Sequence, residues 1–198
     1  MSLRRFVTAL FLIPFLLLPA VAWSSTIATN TVVTTQGTLI PGQGITTPAG
    51  GPWDHLSFNW LFQGSPIASG ALFLLTQEYL GTPGGLSPAT AGFLATTSTI
   101  AAGVWAFDPQ VTLQSNTQYF LYSTLPLTLS GAGANPYSGG NLFAASTSVS
   151  EFSPVASQDA TFLLQGTPTA TAVPEPGTLV LLGAGLVGMF ARRLMTRR

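Results

Sequence analysis

Between Trp23 and Ala172 the apolar residues come in short runs, each broken by Gly, Pro, Ser or Thr before a helical period is established. A helix that buries one face needs apolar residues at i, i+3, i+4 and i+7 over about three turns. The runs carry strand signatures instead. Leu56-Ser57-Phe58-Asn59-Trp60-Leu61-Phe62 alternates, which puts Leu56, Phe58, Trp60 and Phe62 on one face. Residues 70–76 and 100–107 read as continuous apolar strands, the second followed by Val111-Thr112-Leu113. Residues 117–124 are rich in β-formers, and 31–40, 142–149 and 160–165 complete the set. Turn signals stand between them: Pro41-Gly42, Gly50-Gly51-Pro52, Gly64-Ser65-Pro66, Pro83-Gly84-Gly85, Ser115-Asn116 and Ser138-Gly139-Gly140. About eight short strands so punctuated predict an all-β domain, a jelly-roll-like β-sandwich, over residues 23–166. The Thr/Pro-rich stretch 167–172 reads as an extended linker.

The two ends differ from this body. Arg4-Arg5, the apolar run from Phe6 to Leu18 and Pro19-Ala20-Val21-Ala22 predict a signal peptide over 1–22. Ala20 and Ala22 supply the small residues that signal peptidase reads, so the mature chain is expected to start at Trp23. At the other end Val173-Pro174-Glu175-Pro176-Gly177 precedes an uncharged run from Thr178 to Ala191, and Arg192, Arg193, Arg197 and Arg198 follow. As a helix that run spans roughly 21 Å at about 1.5 Å per residue, short of a hydrocarbon core of about 30 Å. Snorkelling of Arg192 and Arg193 brings in Leu194 and Met195, giving a transmembrane helix over about 178–195. The basic flank, 192–198, predicts a cytoplasmic C-terminus with the body outside.

Short motif, apolar run and basic stop, in that order, resemble the PEP-CTERM sorting signal, the substrate tail of exosortases, over 173–198. The resemblance implies an exported protein, transiently anchored by its C-terminal helix and processed by an exosortase at Val173, Pro174, Glu175 and Pro176. It also implies an association with exopolysaccharide and biofilm, and a place in the cell envelope or extracellular matrix. Residues 113–119, the turn 137–140 and residues 159–166 are more loosely similar to the choice-of-anchor sandwich domains of exported bacterial proteins. Inside the C-terminal run, Gly183-Ala184-Gly185-Leu186-Val187-Gly188 is formally G-x-G-x-x-G. No strand precedes it and no acidic residue follows, so it reads as helix-packing glycine rather than a dinucleotide site.

Charge narrows the body's chemistry. All six basic residues lie in the two targeting segments, at 4, 5, 192, 193, 197 and 198. The body holds Asp54, Glu78, Asp108, Glu151 and Asp159 against no Lys or Arg, a net charge of −5. Such a surface cannot neutralise phosphates, which excludes nucleic acid as a partner. One histidine, His55, cannot assemble a zinc site, and its strand neighbour Asp54 is expected to point to the opposite face, away from it. No G-x-S-x-G elbow occurs. The expectation is therefore no enzyme and no cofactor, with structural calcium at Asp108 or Asp159 as the one metal considered. Trp60 and Trp105 fall in apolar strands and read as core. Trp53 and Tyr137, each in a Gly/Pro-rich loop, read as exposed and are the candidates for stacking on a sugar. The favoured role is a structural or matrix-interacting protein; a carbohydrate-binding module and then a secreted hydrolase are the alternatives.

Overall fold

The computed structural model describes residues 24–155 and 157–169. The signal peptide, the sorting motif and the apolar run fall outside the described residues. Among the described residues no helix is long and apolar enough to cross a membrane.

Two antiparallel sheets make the β-sandwich that the strand pattern predicts. The first runs β1 (Ser25–Asn30), β14 (Phe162–Pro168), β3 (Trp53–Phe62), β8 (Val104–Ala106) and β7 (Ile100–Ala101), with β4 (Ser65–Ile67) folded back on β3. The second runs β12 (Ser153–Val155), β11 (Leu142–Ala145), β2 (Thr35–Thr46), β9 (Gln118–Ser123), β5 (Leu72–Leu75) and β6 (Phe93–Thr97). Its long strand β2 also pairs with β10 (Leu127–Gly133), and β10 with β13 (Gln158–Ala160). The first strand pairs with the last, Ser25 opposite Gly166, so the two ends of the described residues lie in one sheet.

The alternation in β3 does what its period requires. Leu56, Phe58 and Trp60 are all but inaccessible to solvent and pack between the sheets with Leu72, Leu74, Trp105, Leu121 and Phe162. Phe58 stands edge-on to Trp60, at 4.8 Å and 89°. The Trp60 indole N–H then crosses to the second sheet and donates to Ser123 Oγ at 2.8 Å.

The continuous apolar run 72–75 has its own cause: the second sheet is covered on both faces. Leu72 and Leu74 face the sandwich interior, while Phe73 and Leu75 face outward into a second core with Ile40, Phe120, Tyr122, Phe143 and Phe152. Tyr79 and Leu86, from the stretch that includes a 3₁₀ turn at Pro83–Gly85, pack over that outer face. The Tyr122 hydroxyl accepts from Tyr79 N–H at 3.0 Å, and burial pushes this phenol far above its usual range.

Four expectations are corrected. Residues 31–40 are not one strand: β1 ends at Asn30, Val32 and Val33 are exposed, and β2 starts at Thr35. Pro41-Gly42 is not a turn but the middle of β2, paired with Ala144 and Phe143. Gly42 is there for close approach, since a Cβ would run into the Tyr122 ring. Residues 100–107 are a hairpin, β7 and β8 turning through Ala102 (φ 51°) and Gly103 (φ 77°). Finally, β14 continues to Pro168, opposite Trp53, so the sandwich runs on into what the sequence reads as linker.

The chain changes sheet at Thr161, between β13 and β14. This residue is fully buried, and its hydroxyl lies 2.8 Å from Leu61 O and 2.9 Å from Ser130 O. One proton shared between a carbonyl of β3 and one of β10 ties the two sheets at the corner.

Candidate functional site

The two aromatic candidates for sugar stacking are occupied internally. Trp53 is 4% exposed and lies in the main core. Its backbone exchanges two hydrogen bonds with Leu113, each 2.9 Å, and both side chains belong to the main core. Tyr137 is half-buried and edge-on to Phe162 at 5.2 Å and 89°. Its hydroxyl accepts from Thr46 N–H at 3.2 Å. Among the described residues no Trp, Tyr or Phe is exposed, so no aromatic platform faces solvent. Trp60 and Trp105 are core, as their runs imply.

Asp54 and His55 do meet, against the expectation that strand neighbours diverge. His55 has φ 46°, and the β3–β14 register slips between Gln165 and Thr167 at this point. This bulge breaks the two-residue alternation and swings His55 Nδ1 to 2.7 Å from Asp54 Oδ1. Gly166 faces the bulge, where a Cβ would come within 2.8 Å of Ile27 Cδ1 and 3.1 Å of Asp54 O. The imidazole is 62% exposed, so the pair stands in water, where such contacts contribute about 0–1 kcal/mol.

The carboxylates are dispersed. Glu78, Asp108 and Glu151 are exposed, and Asp108 caps its own turn by accepting from Gln110 N–H at 2.8 Å. Among the described residues no three His, Cys, Asp or Glu gather to hold a metal. Asp159, the other calcium candidate, is fully buried and faces donors. It accepts from Tyr137 N–H at 2.8 Å and from the Gln43 amide at 3.2 Å. With its nitrogen turned toward the carboxylate, the Asn135 amide donates to both oxygens, at 3.0 and 2.7 Å. Gln43 in turn accepts from Ala160 N–H at 3.3 Å. These N–H groups supply the hydrogen bonds that a buried carboxylate needs.

Burial pushes the Asp159 carboxyl above the usual carboxylate range, against the pull of Tyr137 N–H and the Gln43 amide. A carboxyl raised in the folded state binds its proton more tightly there than in the unfolded chain. Its contribution is therefore fully present below the unfolded value of about 3.9 and is lost as pH rises through the folded value. Urea midpoints of the exported protein are expected to fall over that acid-side window. Asp159→Asn should flatten this dependence while lowering the midpoint throughout, because the new amide NH₂ faces other N–H donors. A variant with the unaltered pH slope would show that another group governs it.

A half-open cleft of about 240 Å³ is lined by Thr35, Gln36 and Leu39 of β2, Leu129 of β10, Leu142 of β11 and Gln158 of β13. Its lining contains no carboxylate and no imidazole that could serve as a general acid or base.

Two hydrogen bonds fasten the point where the described chain ends. Thr169 N–H and Thr169 Oγ1 both donate to Pro52 O, each at 2.8 Å. Val173 to Pro176, the signal-cleavage pair Ala20 and Ala22, and Arg192, Arg193, Arg197 and Arg198 lie outside the described residues. No curated protein and no solved structure matches the chain. Residues 172–198 match the family model of the PEP-CTERM protein-sorting motif. That motif marks an exported protein whose precursor is anchored in a membrane and addressed to an exosortase. The short motif, the apolar run and the arginine stop at the C-terminus of this chain are a PEP-CTERM protein-sorting motif.

Proposed function

We propose that the sandwich is a non-catalytic structural component of the envelope or extracellular matrix, associated with exopolysaccharide or biofilm. The observation that carries this reading is the sorting motif itself, which addresses the body to the outside of the cell. The body's chemistry agrees with it. Its acids are scattered, its one imidazole pairs with an adjacent carboxylate in water, and its buried polar side-chain atoms all have partners among the described residues. Signal peptidase removes residues 1–22 on this reading, and the C-terminal helix holds the precursor until an exosortase acts at Val173 to Pro176.

Carbohydrate binding is the second reading; with Trp53 and Tyr137 held internally, the cleft beside Gln36 and Gln158 is the surface it would use. The two separate in the producing cell. For a structural role, deleting the gene should lower the polysaccharide retained in the matrix, and Gln36→Ala with Gln158→Ala should restore it like the wild type. Failure of that double variant to restore retention would favour the glycan site. A matrix unchanged by the deletion would remove the structural role.

A further inference from the structure

A buried carboxylate lies here one side chain beneath the surface. Asp159 is fully buried, whereas Asn135 is exposed, and the inner end of its amide lies 3.0 and 2.7 Å from the two Asp159 oxygens. Two further groups meet the carboxyl: the Gln43 amide from β2, and Tyr137 N–H from the same β10–β11 loop as Asn135. Neither can change its role. Gln43 is held in one orientation because its oxygen accepts from Ala160 N–H, and a backbone N–H only donates. The Asn135 amide is different, since its two ends are alike in size and opposite in hydrogen bonding. With its NH₂ inward it donates to the charged carboxylate. With its oxygen inward it accepts the O–H of the neutral acid, whose hydroxyl oxygen still accepts from a neighbouring N–H. The backbone stays put while the side chain turns. Asn135 N–H donates to Ser157 O at 3.2 Å, and its φ of 47° is one that Asn adopts more readily than most residues.

We propose that the Asn135 amide is a two-position latch on Asp159, NH₂ inward when the carboxyl is charged and oxygen inward when it carries a proton. The loop 134–141 then stays closed in both states. Closure matters because this loop carries Tyr137, whose ring stands against Phe162 of the main core, and Gly139, whose carbonyl accepts from Thr46 Oγ1 at 2.7 Å. Burial raises the Asp159 carboxyl, so its neutral form is reached on the acid side without unfolding. Among Gln43, Asn135, Tyr137 and Ala160, which surround it, only the Tyr137 phenol titrates. Burial raises that phenol too, so it stays neutral across the same window.

The test is nuclear magnetic resonance of the isotope-labelled exported protein, titrated with acid. The Asp159 carboxyl carbon and the Asn135 NH₂ signals should move together with one midpoint. A cross-peak from the Asn135 NH₂ to Tyr137 N–H should be present above that midpoint and lost below it. Hydrogen exchange at Tyr137 N–H should be slow on both sides. An Asn135 amide that does not follow Asp159, or fast exchange at Tyr137 N–H on one side only, would overturn the latch. Asn135→Asp fixes an acceptor at this position and keeps the backbone, since Asp also tolerates this φ. The two carboxyls should then share one proton and hold it to a pH at least about one unit above the wild-type midpoint. Above that pH, Tyr137 N–H should exchange about ten-fold faster, the loss expected for one hydrogen bond. A variant in which Asp159 titrates as in the wild type would show that the amide does not govern the carboxyl, and the latch would fall.

Discussion

Replacing Trp60 with alanine is expected to remove about 3–5 kcal/mol of stability, the range for truncating a large buried aromatic. Trp60 is fully buried, stands edge-on to Phe58 and donates to Ser123 of the facing sheet. Alanine therefore leaves a cavity between the sheets and orphans a buried hydroxyl. Against a total of about 5–15 kcal/mol for a typical domain, this puts the variant near the edge of folding. Trp60→Phe separates the two terms. It keeps much of the volume but leaves Ser123 Oγ without its partner, a loss of about 1–3 kcal/mol. Urea midpoints should fall in the order wild type, phenylalanine, alanine, with an unchanged slope. An alanine variant with a wild-type midpoint would mean that the sheets do not meet at Trp60.

Much of this fold was legible because burial follows local period. Leu56, Phe58 and Trp60 alternate and are core; residues 72–75 are apolar throughout and have both faces covered. What was not legible depends on residues distant in sequence. Trp53 and Tyr137 look exposed by their Gly- and Pro-rich surroundings, yet a backbone bridge to Leu113 fastens one and Phe162 and Thr46 hold the other. Pro41-Gly42 has turn composition, but the Tyr122 ring requires that glycine inside a central strand. Asp54 and His55 meet because a bulge opposite Gly166 breaks the alternation, and no period read along β3 alone contains that bulge. The short strands β4, β12 and β13 are each three residues long, too brief to show alternation. The sorting signal was legible for the opposite reason: its three blocks are contiguous, so their order carries the information without any fold.

The tail gives the second large effect. Each arginine costs about 2.5–3.5 kcal/mol at a helix centre on insertion scales, so Arg192, Arg193, Arg197 and Arg198 together resist translocation strongly. Neutralising all four should let the tail misorient or slip through, and processing should fail. Replacing Pro174, Glu175 and Pro176 should also stop processing, but with the precursor inserted and correctly oriented. Membrane and released fractions separate the two defects: the motif variant accumulates in the membrane at full C-terminal length, whereas the arginine variant does not hold its anchor. Equal behaviour of the two variants would contradict the division of labour between motif and stop.

The most direct measurement is the sequence of both ends of the wild-type protein recovered from outside the producing cell, read by mass spectrometry of its terminal peptides. The account predicts an N-terminus at Trp23 and a chain that no longer carries Arg192 to Arg198. An exported protein that still begins at Met1, or still ends at Arg198, would contradict it.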